Sequence, residues 1–247
     1  MTRIFDALRK SQSSRDPAIL PPPAVLQPVR PGHLAGRPAP ERLETEALGF
    51  AAPLDDDVIR EMSGLRVSLE GALPGRSPRS VIFVSAQPGD GTSTVALQFA
   101  QSLSREADLR VLVVDANLRR PSPLIEAARA RSGERHGRGA LDLLPLGGRL
   151  RRSAEPMPVS GFRDLIEHAG AGYDWMIIDG SSLLESPEAA PMAAQADGAV
   201  LVVRAGRSKK PVLHRALDLL RRSSANLLGT VLNRRRLEIP DFIYRRI

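Results

Sequence analysis

The stretch from Ser80 to Ala100 constrains the fold of this chain more than any other. Val81, Ile82, Phe83 and Val84 form a short apolar run, rich in β-branched residues, of the kind that makes a strand covered on both faces. Pro88, Gly89, Asp90 and Gly91 then break the chain, and Ser93 and Thr94 are placed to cap a helix. Val95, Leu97, Phe99, Ala100 and Leu103 give that helix enough apolar surface to pack on a sheet. Strand, glycine-bearing turn and helix in this order aim backbone N–H groups at an anion, with a nucleotide phosphate the natural occupant. A phosphate loop of this type calls for Lys directly before the Ser or Thr, because its ammonium neutralises β- and γ-phosphate charge. This chain has Thr92 there.

The 247 residues suffice for one sizeable α/β domain with tails and do not suggest two full domains. Absence of Cys excludes a disulfide framework, a thiolate metal site and a cysteine nucleophile, and it fits a reducing compartment. The four His residues, at 33, 136, 168 and 214, show no metal-ligand spacing. No apolar run approaches the roughly 20 residues that span a bilayer. The N-terminus carries charges where a signal peptide has its apolar core, so a cytoplasmic location is expected. A net charge of +7 favours acidic partners, whether nucleic acid, anionic lipid headgroups or an acidic protein face. Lys occurs only at 10, 209 and 210, so no neighbouring lysine between them substitutes for the one missing at Thr92.

Residues 1–10 read as an amphipathic helix, with Ile4, Phe5 and Leu8 on one face and Arg3, Arg9 and Lys10 beside them. It either docks on a partner or an anionic membrane surface, or packs on its own domain. Residues 11–56 carry nine prolines and are expected to be an extended, disordered linker. The domain proper is expected over 57–236, opening on a helix with Ile59, Met62, Leu65 and Leu69 at helical spacing. A second buried strand, 110–114, leads into Asp115, Asn117 and Arg119, which places polar residues at the carboxyl end of a strand, where open α/β sheets bind ligands. Residues 122–139 suggest a short helix and a basic loop, 140–146 a third strand and 162–168 a helix.

The run from Asp174 to Asp179 repeats the pattern of an apolar strand ending in Asp. In a nucleotide-binding sheet such an Asp reaches Mg²⁺ or its water; taken alone, a strand-end Asp capping a loop is an equal reading. The phosphate-type loop about ninety residues earlier favours the first. Further strands are expected at 199–204 and 227–232, with a helix at 211–222 turning Leu213, Ala216, Leu217 and Leu220 inward. Strand and helix alternate throughout, which implies a parallel sheet wrapped on both faces. From Arg234 to Ile247 the chain is basic, with Ile239, Phe242, Ile243 and Tyr244 interleaved, and residues 237–247 are expected as a tail beyond the domain.

On these residues the chain resembles the bacterial tyrosine kinases of capsular and exopolysaccharide systems, a branch of the ParA/MinD-like deviant P-loop NTPases. The likeness covers about residues 57–236 and runs through Ser85–Thr94, Val111–Pro121, Tyr173–Asp179, Asp197–Gly206 and Leu227–Arg234. Arg3–Lys10 also looks like the start of many polysaccharide-associated members. The resemblance implies a P-loop NTPase-like α/β fold, ATP and Mg²⁺ as cofactors, and a membrane-embedded co-polymerase that controls chain length and export as partner. It implies Gly89, Asp90, Gly91, Thr92, Ser93 and Thr94 as the phosphate loop, with Arg119 and Asn233 as nucleotide contacts, Asn233 at the adenine. It further implies Ser93, Asp115 and Asp179 around the metal, with both aspartates catalytic.

Departures from the family pattern bear on activity. Members carry Lys where this chain has Thr92, Asp where it has Asn117 and Glu188, and Thr-Pro-Pro where it has Gly180, Ser181 and Ser182. The Glu and two Arg that mediate ring assembly fall at Arg60, Ser63 and Arg66, so only the last is kept. The tyrosine-rich tail is absent, since the tyrosines are Tyr173 and Tyr244. Phosphoryl transfer is mainly positioning and charge stabilisation, and losing one preorganised donor costs about 10²–10³ in rate. With Thr92 and Asn117 both changed, little turnover is expected; ATP and Mg²⁺ are expected as possible ligands, bound weakly or not at all, with binding surviving better than turnover because the backbone cradle does not depend on Thr92.

Three functions remain in view. The leading one is a catalytically degenerate regulatory or scaffold protein of exopolysaccharide or capsule assembly, at the inner face of the membrane. Its partner would be the co-polymerase or an intact kinase paralogue supplying a lysine in trans. The second is an active ATPase or tyrosine autokinase of chain-length control. The third is a ParA-like protein binding DNA or acidic surfaces, whose affinity would fall steeply with salt; scattered arginines and scarce aromatics disfavour nucleic acid. Homo-oligomerisation is left open by the sequence.

Overall fold

Alternation along the central strands divides the apolar residues between two cores. Ile82, Val84, Leu112, Val114, Met176, Ile178 and Leu201 point to one, and Val81, Phe83, Val111, Val113, Trp175, Ile177 and Val200 to the other. Side chains of a strand alternate in direction, so a strand apolar at every position needs cover on both faces. The computed structural model describes residues 54–75, 77–105, 109–118, 122, 140–146 and 161–234. The expected N-terminal helix, the linker to residue 53, Arg119, most of 122–139 and the tail lie outside the described residues.

The described elements run α1 (Asp56–Ala72), β1 (Arg79–Ser85), α2 (Thr92–Arg105), β2 (Arg110–Asp115), β3 (Ala140–Pro145), α3 (Gly161–Ala169), β4 (Trp175–Ser182), α4 (Ala189–Ala193), β5 (Gly198–Arg204), α5 (Lys210–Arg222) and β6 (Leu227–Asn233). The six strands lie in the order β3-β2-β4-β1-β5-β6, and every neighbouring pair is parallel. Met62 and Leu69 of α1 and Phe99 and Leu103 of α2 cover one face. Phe162 and Ile166 of α3, Met192 of α4, and Ala216 and Leu220 of α5 cover the other. From β1 the chain moves to β2 and β3 on one side, returns to insert β4, then leaves for β5 and β6 on the other. The carboxyl ends of β1, β2 and β4 therefore meet at the switch point, where a crevice opens.

Trp175 anchors the second core. Phe99 meets it edge-on at 5.7 Å and also contacts Phe83 at 5.8 Å. At the opposite end of β1 from the crevice, the Asp197 carboxylate accepts hydrogen bonds from the Ser80 N–H (2.9 Å) and Oγ–H (2.6 Å), while the Asp197 N–H donates back to Ser80 Oγ (2.9 Å).

Two details differ from the sequence reading. Helix α2 already begins at Thr92, with the Val95 N–H donating to the Gly91 carbonyl at 3.0 Å, so Ser93 and Thr94 sit in its first turn and do not cap it. Helix α4 is five residues of Ala, Pro and Met, too short for a period to show. Among the described residues no helix is long and apolar enough to cross a membrane.

Candidate functional site

Residues 86–91 join β1 to α2 and wrap the helix N-terminus. Gly89 (φ 84°) and Gly91 (φ 96°) hold left-handed backbone that side chains resist. Gly91 is needed for space as well: a Cβ there would lie 2.0 Å from Nδ2 of Asn233, which donates to the Asp90 carbonyl at 2.9 Å. The end of β6 thus closes on the back of the loop. The segment after β5 closes on it too, with Arg204 Nη1 donating to the Gly89 carbonyl at 3.3 Å and Ser208 Oγ to Asp90 Oδ1 at 3.1 Å. Arg207 Nη1 lies 2.9 Å from where a Cβ on Gly89 would be. Asp90 is fully buried, and its Oδ2 has no hydrogen-bond partner among the described residues.

In front of the loop is a cleft of about 440 Å³. Pro88, Gly89 and Gly91 through Thr94 form one wall, Asn117 and Ser122 a second, and Gly180 to Ser182 with Glu185 and Ser186 a third. Arg234 is the one cation among the described residues that line it. Thr92, at the first residue of α2, is 9% exposed. The first residue of α2 thus brings no cation to the cleft.

Beneath the cleft lie two carboxylates, each 1% exposed. Asp115 ends β2 and Asp179 lies on the adjacent β4, paired in register, with the Ala116 N–H donating to the Asp179 carbonyl at 3.0 Å. Their surroundings differ. Asp115 accepts from the Asn117 N–H (3.1 Å) and the Ser122 N–H (2.9 Å). Neither carboxylate oxygen of Asp179 has a hydrogen-bond partner among the described residues. Burial pushes its pKa from 3.8 up to about 7; the Asp115 charge adds to the shift, and the nearby Ser93 hydroxyl opposes it without reaching full hydrogen-bond geometry. A buried carboxylate with both oxygens unpartnered, beside a second carboxylate and a hydroxyl, is a place for a proton or a cation.

Of the residues read from the sequence, Gly89, Gly91, Thr92, Ser93, Thr94 and Asn117 line the cleft. Asp115 and Asp179 are buried next to it, while Asp90 and Asn233 bond to each other behind the loop. Arg119 lies outside the described residues. Arg204, Arg207, Ser208, Glu185 and Arg234 were not singled out. Arg204 could have been found from its place at the carboxyl end of a central strand; the others follow no period and come together only through the fold.

No protein-family model matches the chain. It is 30% identical over 193 residues to the tyrosine-protein kinase YwqD of Bacillus subtilis, covering 70% of this chain and 79% of that one. It is 27% identical over 177 residues to the tyrosine-protein kinase CpsD of Streptococcus agalactiae, covering 65% and 77%. The succinoglycan biosynthesis transport protein ExoP of Rhizobium meliloti is 27% identical over 188 residues; the match takes in 68% of this chain and 24% of that protein. Among solved structures, the kinase domain of the Escherichia coli tyrosine kinase ETK matches with a TM-score of 0.55 at 21% identity, over 74% of this chain and 79% of that one, which bears on fold alone.

Proposed function

The chain belongs to the bacterial tyrosine kinase family of capsule and exopolysaccharide systems, and from that premise we propose that it acts there as a regulatory or scaffolding member whose nucleotide site has lost its phosphate-charge partner. The observation that carries this is Thr92, a buried hydroxyl at the N-terminus of α2 with Arg234 the one cation among the described residues of the cleft. The metal-holding half fits its ligand better than the phosphate-holding half does. The unpartnered oxygens of Asp179, with Ser93 and Asp115, would hold Mg²⁺, which when bound supplies positive charge beside the phosphates. The glycine-shaped backbone of the loop would hold the phosphates through N–H groups, and at Thr92 there is a neutral hydroxyl where an ammonium would balance their charge.

Partners follow the same reading. A membrane-embedded polysaccharide co-polymerase, or an intact kinase paralogue, would use this protein as a bound subunit at the inner face of the membrane, with residues 1–10 as its docking segment. ExoP, a transport protein by name, carries the matched stretch as about a quarter of its length, which supports a working contact between this kind of domain and a transport component.

Retention of Asp115 and Asp179 favours one rival, an active autokinase. Tyr173 is 6% exposed and its hydroxyl donates to Asp142 at 2.6 Å, so Tyr244 is the other tyrosine such activity would have to modify. Phosphate release from Mg-ATP and phosphotyrosine mapping, on wild type beside Thr92→Lys, distinguish the two. Turnover near background that rises at least about tenfold in Thr92→Lys supports the degenerate site. Wild-type turnover that disappears in Asp179→Ala, with phosphate on Tyr244, overturns it in favour of the kinase.

A further inference from the structure

Beside the cleft, and sharing Arg234 with it, a groove of about 470 Å³ runs between α1 and β6. Val58, Met62 and Leu65 of α1 and Val231 of β6 supply apolar lining, and the exposed Asp57 and Glu61 add negative charge on the helix side. Strand β6 is the edge of the sheet and pairs only with β5 among the described residues, and Leu232 on it is 52% exposed. An apolar edge strand beside an apolar groove is a surface that proteins ordinarily cover.

What lies next in the chain matches this surface. Arg234 lines the groove and, at φ 56°, holds left-handed backbone that bends the chain as it leaves β6. Residues 235–247 continue from that point with four arginines, two acids and the apolar Leu237, Ile239, Phe242, Ile243 and Ile247. The start of α1 has the opposite balance, Asp55, Asp56, Asp57 and Glu61 against Arg60, which is itself paired with Asp57. We propose that residues 235–247 fold back along this groove as the cover of the β6 edge, placing their apolar residues on Met62, Leu65 and Val231 and their arginines toward the acidic turn of α1. Thirteen extended residues reach about 40 Å, more than the seven-residue strand requires. Tethering supplies an effective concentration in the millimolar range, so an intrinsically weak contact suffices. Pro240 is compatible with an edge position, where one N–H has no ladder partner.

Hydrogen–deuterium exchange of the full chain at two protein concentrations tests this, comparing wild type with Phe242→Ser/Ile243→Ser and with Arg235→Glu/Arg236→Glu. The expected result is exchange across Thr230 to Leu232 about tenfold faster in the serine variant, from lost apolar burial. A smaller acceleration that fades with added salt is expected in the glutamate variant. Rates unchanged in both variants overturn the proposal. Protection that grows with protein concentration, or that vanishes on deleting residues 1–10 and survives in both tail variants, overturns it in favour of a second copy or the N-terminal segment as the cover.

Discussion

Asp179 stands opposite Asp115 across the β2–β4 pairing, equally buried, yet the Asp115 carboxylate accepts from the N–H groups of Asn117 and Ser122 while that of Asp179 accepts from no group among the described residues. Burial, and then the neighbouring Asp115 charge, disfavour the charged form of Asp179. A cation placed between the two carboxylates would favour the charged form of Asp179.

Stability should depend on this group. The Asp179 pKa is raised from 3.8 to about 7, so the folded state binds the proton more tightly than the unfolded chain. Its contribution is fully present below about pH 4 and is lost as pH rises through about 7. Denaturant unfolding without nucleotide or metal, between pH 5 and 8, should show Asp179→Asn more stable than wild type at pH 8, by roughly a few kcal/mol. The difference should shrink toward pH 5. Parallel pH profiles for the two proteins would remove Asp179 as the cause.

Nucleotide binding should follow residue 92. Ligand at a hundredfold over its dissociation constant adds about 2.7 kcal/mol to stability, a rise of several degrees in Tm. Millimolar Mg-ATP should leave the wild-type Tm nearly unmoved and raise that of Thr92→Lys. A strong shift in wild type would show that the backbone cradle and Arg234 hold the phosphates without a lysine.

The alternation of strand and helix, both cleft-side aspartates and the loop glycines were legible because each rests on local pattern: apolar runs of fixed length, breakers between them, and acids at strand ends. Arg204, Ser208 and Arg234 were not, because their relation to the loop spans more than a hundred residues of sequence and exists only once β5 and β6 pair beside β1. Asn233 was placed by resemblance at the adenine, whereas its visible bond is to the Asp90 carbonyl. No periodicity encodes a side chain bonding to a distant backbone.

Asp197 offers a test of the far end of β1. Replacing it with Ala strands the Ser80 N–H and hydroxyl in a buried position, which typically costs about 1–3 kcal/mol. Ser80→Ala should cost less, because Asp197 would still accept the backbone N–H. Urea unfolding of the two variants gives the comparison, and equal losses would mean that the hydroxyl carries the whole interaction.

Gly91 concentrates two constraints that one substitution can separate. Alanine at φ 96° carries backbone strain of about 1–3 kcal/mol whatever surrounds it. Its Cβ would also fall 2.0 Å from Asn233 Nδ2, forcing that side chain off the Asp90 carbonyl. Gly91→Ala should therefore destabilise the protein by more than the strain alone. Asn233→Ala loses a single hydrogen bond, at about 1 kcal/mol. In the double variant the collision is gone and the bond has been lost only once, so its loss should fall short of the sum of the singles by about 1 kcal/mol or more. Urea unfolding of the four proteins measures this directly. Strict additivity would show that Asn233 moves aside freely and that glycine is required at 91 by its backbone angle alone.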